Sequence, residues 1–564
     1  MTATHDPVSH DLISCDPISR DVFQHQAHSI AEEMSMALRR AAFSSIIWDM
    51  YDYACGLFTP TGAMIDQAET ISAQLGIMST AIQYMFERIP LDQWQPGDVI
   101  VCNDPYRGCT HTMDICLFSP VFNGGEVVAI TSTIAHHIDI GGKVPGTEAA
   151  DNIEVFAEGL ILPPLKLVEA GAPNQAVFDI VAANVRDPAA CQGDLRAQIA
   201  GCRTGERRIA ELAAQYGNKR FSQLVDDCID YAESYMRRSI EALPDGAWEG
   251  EVLIEDDVTT EDPIRLHARV TIAGDTLVVD LSGSSDQRAN ALNCPKASTF
   301  SMVHYAVKCI VAPDLVQNQG VVRPITIHTR EGSILDPRRP AAVSVRHLTQ
   351  QALADAVLRA MAPIDPTAAA AGCQISFPTF VAGGFDDRAR HSNGGESAPY
   401  YVISDIIGGG MGGSAHADGL NAVDTHGGNC AILSAEVLET IAPFRVRRTA
   451  LVGGSGGAGR HRGGLGILRD YELLAGESIV SGYVQQTRDS TAPWGFDGGG
   501  PGGTASLVLN PDSSQEEVLP SKLVARIFKK GDVFRIVAAG GGGWGAPQER
   551  DPDDIDEDSR EGYA

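Results

Sequence analysis

Two apolar runs, MDICLFSPVF (113–122) and EVVAITSTIA (126–135), flank the tripeptide Asn123-Gly124-Gly125. No other stretch of the chain restricts its folding so tightly. Asn-Gly is the strongest short hairpin signal, because a two-residue type I′ turn needs positive φ at both central positions. With Asn123-Gly124 as the turn, His111 falls directly opposite His136. Opposed residues of an antiparallel ladder place their Cβ atoms about 4.5–5.5 Å apart on one face. Asp114 would face the other way in a flat strand. Either the chain bends between His111 and Asp114, or Asp114 lies nearer His137; a turn one residue later would change the register again. Gly108 and the Asp104-Pro105 turn favour irregular backbone just upstream.

Imidazole with carboxylate suits Zn²⁺, Mn²⁺ or Fe²⁺, and the lack of a thiolate argues against a purely structural zinc. Such a cation lowers the pKa of bound water to about 7 and polarises carbonyls. His111, Asp114 and His136 are therefore candidate ligands at the open end of the hairpin. The competing reading is a set of hydrogen-bonded polar residues at a strand end, which is the commoner meaning of any one histidine.

A chain of 564 residues exceeds one ordinary core. Its net charge of −30 argues against nucleic acid, since phosphate binding needs clustered Lys and Arg. No stretch of about 18 apolar residues offers a membrane span, and the first residues lack a signal-peptide pattern. The twelve cysteines show no CxxC spacing and read as reduced thiols of a cytoplasmic protein; Cys102, Cys109 and Cys116 recur every seven residues beside Pro105 and Gly108, which disfavours a helix.

The organisation expected is α+β, mixed and multidomain. A flexible N-terminus (1–16) precedes a metal-site domain (17–187) with a helix from about Ser19 to Ala42. A helical segment (188–245) and a domain of antiparallel strands and helices (246–396) follow. The chain then passes into a Gly-rich, β-rich domain (397–547) and a disordered acidic tail (548–564). The stretches GGGMGGSAHADG, GGSGGAGRHRGGLG and GFDGGGPGG do not match the phosphate-loop pattern, and they read as tight turns and close backbone packing.

NDPYRGCTHTMDICLFSPVF followed by AHHIDIGGKVPG resembles the hydantoinase B/oxoprolinase family. Further blocks agree in order, among them SSIIWDMYDYACGLFTPTGAMIDQAE, GSILDPRRPAAVSVRH and GGAGRHRGGLGILRDYEL, over roughly 17–547. The resemblance implies one subunit of an ATP-dependent enzyme that opens hydantoins, lactams or 5-oxoproline. It further implies a hydantoinase A-type partner that binds ATP and Mg²⁺, a heterotetrameric assembly, and a metal held by Asp52, His111, Asp114 and His136, with the backbone bending at Thr112-Met113. Asp104, His137 and Asp139 are then candidates for acid/base or outer-shell roles. Departures occur at Trp48-Asp49-Met50, at AETISAQLG, which lacks a histidine many members carry, and at Cys109, where glycine is usual. Two alternatives are a subunit of an acetone- or acetophenone-type ketone carboxylase and a non-catalytic scaffold for the ATP-binding chain.

Overall fold

The structure is a computed structural model and describes residues 16–388 and 398–564. The N-terminal stretch expected to be flexible lies, but for Asp16, outside these residues. The chain opens with α1 (Pro17–Ala41), which starts two residues earlier than expected because Asp16 caps it, accepting the Ser19 N–H, with Pro17 in the first turn. The single turn α2 (Ser45–Trp48) leads to β1 (Tyr53–Phe58) and β2 (Met64–Gln67). Next come the one-turn helix α3 (Ser72–Leu75), α4 (Met78–Arg88) and β3 (Val99–Cys102). The hairpin strands β4 (Asp114–Asn123) and β5 (Glu126–His136) follow, then β6 (Leu165–Glu169) and β7 (Ala172–Pro173). These strands form one antiparallel sheet in the order β2-β1-β5-β4-β3-β6-β7, which puts the hairpin near its centre.

The hairpin exists, but its register differs from expectation. Gly124 and Gly125 are the central residues of the turn, with φ of 62° and 88°, and Asn123 remains in the strand opposite Glu126. Gly-Gly meets the demand for two positive φ values better than Asn-Gly. The later turn shifts the pairing by two residues and a bulge between Val121 and Phe122 shifts it once more, so Asp114, not His111, stands opposite His136.

The helices α5 (Gln175–Asn184), α6 (Pro188–Tyr216) and α7 (Asn218–Glu241) do not form a separate segment. α6 lies against β4, β5 and α1, so the expected break at 187/188 falls inside one packed unit. Its Gly205 allows this approach: a Cβ there would meet Met34 Sδ at 2.3 Å and Thr131 Cγ2 at 2.7 Å. The middle sheet is antiparallel through β8 (Gly246–Ile254), β9 (Ile264–Ala273) and β10 (Thr276–Asp280), as the alternating patterns predict. It gains a parallel edge strand, β11 (Ile325–His328). α8 (Lys296–Val311) and α9 (Gln319–Val322) lie between β10 and β11, and α10 (Arg346–Met361) follows β11. α10 is buried almost all round, between the middle sheet and α8.

The final region begins before the expected boundary at 396. β12 (Thr379–Phe385) pairs with β13 (Tyr400–Ile406) and, past α11 (Ala435–Ile441) and the strands β14 (Phe444–Leu451) and β15 (Ile467–Leu473), with β16 (Glu477–Tyr483). The remaining strands are β17 (Ser506–Leu509), β18 (Glu517–Leu519), β19 (Lys522–Lys529) and β20 (Val533–Val537), giving sheets β13-β12-β16-β19 and β14-β15-β20-β17-β18.

The glycine stretches pack neither as sheet nor as helix. Successive N–H groups of 540–543 reach Gly503, Gly464, Gly372 and Gly500, so the partner segment repeats after three residues. Three residues per turn is the repeat of extended polyproline-II-type rods, whose backbone groups point outward in three directions. A Cβ on Gly541 would meet the Met411 carbonyl oxygen at 2.0 Å, and one on Gly464 the Leu420 carbonyl oxygen at 1.9 Å. Only glycine permits such rods to lie this close.

The acidic tail, expected to be disordered, ends in α12 (Pro552–Glu561). Asp558 is buried there and receives Arg462 at 3.2 Å and Arg550 at 2.7 Å, which offsets the repulsion between the helix's other carboxylates. Among the described residues no helix is long and apolar enough to cross a membrane.

Candidate metal centre

The mouth of the hairpin lies where the three regions meet. Asp114 opens β4 and His136 closes β5 directly opposite it, with Asp114 Oδ1 and His136 Nδ1 3.2 Å apart. His111 joins them through a tight turn in which the Asp114 N–H donates to the His111 carbonyl at 3.3 Å. The chain thus bends between the two, one of the alternatives left open by the sequence. The turn follows Gly108, at φ 96°, where a Cβ would meet the Ala81 backbone at 2.6 Å. Asp52 arrives from the loop before β1, after Tyr51 in the left-handed region at φ 65°. The His136 N–H donates to its carbonyl at 3.1 Å, and its Oδ2 stands 3.9 Å from His136 Nδ1.

Outer groups set the orientation of these side chains. The Ser344 carbonyl lies 3.0 Å from His111 Nδ1 and accepts its proton, which leaves Nε2 as a lone-pair donor. That Nε2 is 3.2 Å from His136 Nδ1 and 3.3 Å from Asp114 Oδ2. Glu158 holds the strap that carries Ser344 by accepting the Val343 and Ser344 N–H groups at 2.8 and 2.7 Å. Gln74 of α3 donates to Asp52 at 2.7 Å and to Asp114 at 3.3 Å. Arg346, at the start of α10, donates to Asp114 Oδ2 at 3.0 Å, and Thr110 donates to the same oxygen.

The electrostatics follow from burial against charge. Burial would raise the Asp114 carboxyl, but His111 and His136 outweigh it and hold the group well below the ordinary range. Burial would likewise lower His136, and Asp52 and Asp114 instead lift it to about 9. Burial pushes Asp52 up to about 6 against the pull of His136, and Glu148 up to about 7. Burial takes His111 down to about 4 despite Asp114, so its imidazole is neutral near pH 7. The corner therefore draws positive charge to its centre.

Ligand atoms of His111, Asp114 and His136 all lie within 4.8 Å of one another. Bonds of about 2.0–2.2 Å to a divalent ion put neighbouring ligand atoms about 3.0–3.5 Å apart, and the 3.2–3.3 Å separations match that spacing. The donor set of His111, Asp114 and His136 fits Zn²⁺, Mn²⁺ or Fe²⁺, and Asp52 stands beside it, with its Oδ2 3.9 Å from His136 Nδ1.

The three other candidates are not brought to this corner. His137 points to the opposite face of the strand end, as period-two alternation requires, where its nitrogens meet Gln198 Oε1 at 3.0 Å and Cys191 Sγ at 3.3 Å. Asp139 is filled by N–H groups of Gly141, Gly146 and Arg186 and by the Arg186 guanidinium. Asp104 caps a turn by accepting the Tyr106 N–H at 2.9 Å and meets Arg339 at 3.3 Å. His137, Asp139 and Asp104 are thus each engaged by backbone or packing partners of their own.

Residues that sequence reasoning passed over line the same cavity: Gln74, Glu148, Arg346 and His347. Glu148 Oε1 is 3.7 Å from His347 Nδ1 and 3.8 Å from His111 Nδ1. Among the described residues, Nε2 of His347 and Nε of Arg346 are buried with no hydrogen-bond partner. The available signal was an Arg-His pair opening a helix that is otherwise a core element.

The family model for hydantoinase B/oxoprolinase matches residues 16–547. This chain belongs to the hydantoinase B/oxoprolinase family. It is 32% identical over 570 residues to the B subunit of a putative D-/L-hydantoinase from a Pseudomonas strain, covering 98% of this chain and 94% of the relative. Its fold matches the ATP-dependent caprolactamase of Pseudomonas jessenii with a TM-score of 0.88 at 28% identity, covering 97% and 94% of the two chains. An acetone carboxylase matches with a TM-score of 0.89 at 19% identity, covering 97% of this chain and 78% of the other. At that identity the last likeness concerns the fold alone. The α+β, multidomain architecture read from the sequence agrees with both structures.

Proposed function

We propose that this chain is the metal-holding, ring-opening subunit of an ATP-dependent cyclic amidase acting on a hydantoin, lactam or 5-oxoproline. The observation that carries the reading is the convergence of His111, Asp114 and His136 on one point, with Asp52 beside them. A divalent cation held there by His111, Asp114 and His136 would supply Lewis acidity and lower the pKa of water. An amide carbon is a poor electrophile, which gives chemical work to the ATP-binding partner, of the hydantoinase A type with its own Mg²⁺. By phosphorylating the amide oxygen it creates a good leaving group. We assign the assembly as a heterotetramer in the cytoplasm.

This chain's own side chains then have distinct roles. Ser344 fixes the His111 tautomer through its carbonyl, and Glu158 fixes Ser344. Arg346 is poised beside Asp114 with one guanidinium N–H free for an anionic oxygen of the activated substrate. His347, backed by Glu148, offers its unpartnered Nε2 to the ring nitrogen. The surrounding wall of Phe377, Ile71 and Ile406 limits water.

The test is His111→Ala in the purified two-chain complex, read by elemental analysis and by ATP-coupled turnover of hydantoin, caprolactam and 5-oxoproline with and without bicarbonate. Loss of metal together with loss of ring opening supports the reading. Unchanged turnover in an intact complex returns the chain to the role of scaffold, and a carboxylate product formed only with bicarbonate replaces the amidase with a ketone-carboxylase type.

A further inference from the structure

The cavity at the metal corner encloses only about 50 Å³. That is room for an ion and a few waters, whereas pockets that bury small organic ligands run to about 300–1,000 Å³. A cleft of about 720 Å³ lies on the other side of a single helical turn. That turn is α3: its Ala73 and Gln74 line the metal cavity, while its Ser72 and, just past its end, Gly76 line the cleft. The cleft runs between α4 of the N-terminal region and α8 of the middle region, so it sits at a domain junction, where ligand sites concentrate.

Its chemistry is unusual for this chain. The sequence carries 73 acidic residues, yet among the described residues no carboxylate lines the cleft. The walls combine apolar residues, Met64, Phe300 and Val322 among them, with uncharged hydrogen-bonding groups such as Ser79, Gln83, His304 and Gln317, and one cation, Lys308. The Lys308 ammonium is tethered to the Pro313 carbonyl at 2.7 Å, and the His304 side chain has no partner among the described residues. Burial keeps His304 neutral, at about 4. Donors and acceptors without negative charge suit a small ring that presents an amide N–H and C=O edge, and Lys308 admits one carboxylate on that ring.

We propose that this cleft receives the cyclic amide and that α3 is the gate through which the ring reaches the metal corner. The inference rests on the amidase reading for the identity of the ring. Among the described residues, α3 is held by the burial of Ala73 and Gln74 and by named hydrogen bonds: the Ser301 hydroxyl contacts the Ser72 and Ala73 carbonyls at 3.2 Å each, the Ala73 N–H donates to Gly427 at 3.1 Å, and Gln74 spans the two carboxylates. Withdrawing α3 releases Gln74 from Asp52 and Asp114 and joins the two spaces.

Ser79→Trp fills the cleft from the first turn of α4 without touching the metal corner, and His304→Leu removes one wall hydrogen-bonding group. Hydantoin and 2-pyrrolidinone are the probes, followed by saturation-transfer NMR on the full chain, with turnover read in the two-chain complex. Ser79→Trp is expected to abolish probe binding and lower kcat/KM at least tenfold with metal content unchanged. His304→Leu is expected to raise KM several-fold at unchanged kcat, which keeps the test decisive if the tryptophan variant misfolds. His111→Ala should still bind both probes while losing turnover, so the cleft and the amidase reading fail separately. Equal probe binding by wild type and Ser79→Trp, no binding by wild type, or a KM indifferent to His304→Leu overturns the proposal.

Discussion

The metal corner and the glycine bundle solve opposite problems with the same backbone. At the corner the chain brings side chains together: two imidazoles and two carboxylates crowd one point and are held by Gln74, Arg346 and the Ser344 carbonyl. In the bundle it removes side chains, so that carbonyl and N–H groups of four or more segments meet directly around 540–543. The two are joined by α10, which presents Arg346 and His347 to the corner and Asp355 to the bundle, where Asp355 accepts the Trp494 indole N–H at 2.6 Å and meets the Cys373 N–H at 3.4 Å. The corner is chemically specific and tolerates little change of residue type. The bundle is chemically bland and tolerates no change of size.

Breaking the bundle should therefore cost folding rather than chemistry. Gly541→Val places a branched side chain on the Met411 carbonyl and is expected to destabilise by more than about 3 kcal/mol, seen as loss of folded protein or a large drop in the thermal midpoint. If the variant folds normally, the rods are not close-packed. Breaking the corner should do the reverse. His111→Ala is expected to strip the metal and reduce turnover by more than the ~10–100-fold that outer-shell changes cost, with a small shift in thermal midpoint.

A subtler difference lies in pH. Without an ion, burial would lower His136, yet Asp52 and Asp114 hold it at about 9. A raised pKa gives stability that is fully present below the ordinary 6.5 and is lost as pH rises through about 9. A bound cation would take that proton's place, and its affinity would rise with pH as the proton is released. The gap between the melting temperatures of metal-loaded and chelator-stripped protein should widen from pH 6.5 to 9, and a gap that narrows would remove His136 from the ligand set. The smallest effect on chemistry is expected from His137→Ala. Both its nitrogens are engaged away from the corner, so about 1–3 kcal/mol of stability should go while kcat stays within a factor of two; a collapse in kcat would restore His137 as an acid or base.

Much of the corner was legible in the amino-acid order alone. The hairpin announced itself through two apolar runs around Asn123-Gly124-Gly125, and His111, Asp114 and His136 sat at its mouth. The register was not legible, because one residue in the turn and one bulge at Val121 decide which side chain opposes His136. Asp104 and Asp139 looked like chemistry because a carboxylate that organises a turn has the same letter as one that moves a proton. Arg346 and His347 were hidden because they lie far along the chain from the hairpin, in a helix that reads as ordinary core. Glu148 was hidden in a loop whose pattern gives no sign of what it faces.

The acidic tail shows the same limit from the other side. Its composition forbids an independent core, and α12 is held because Arg462, from elsewhere in the chain, joins Arg550 at the start of the tail in receiving Asp558. Local sequence decided what is set by neighbours along the chain: where helices start, where a strand alternates, where only glycine can turn. Tertiary structure decided which of the distant polar groups share a cavity and which satisfy one another, because a buried charge is stable only beside a partner, and the choice of partner belongs to the packed fold.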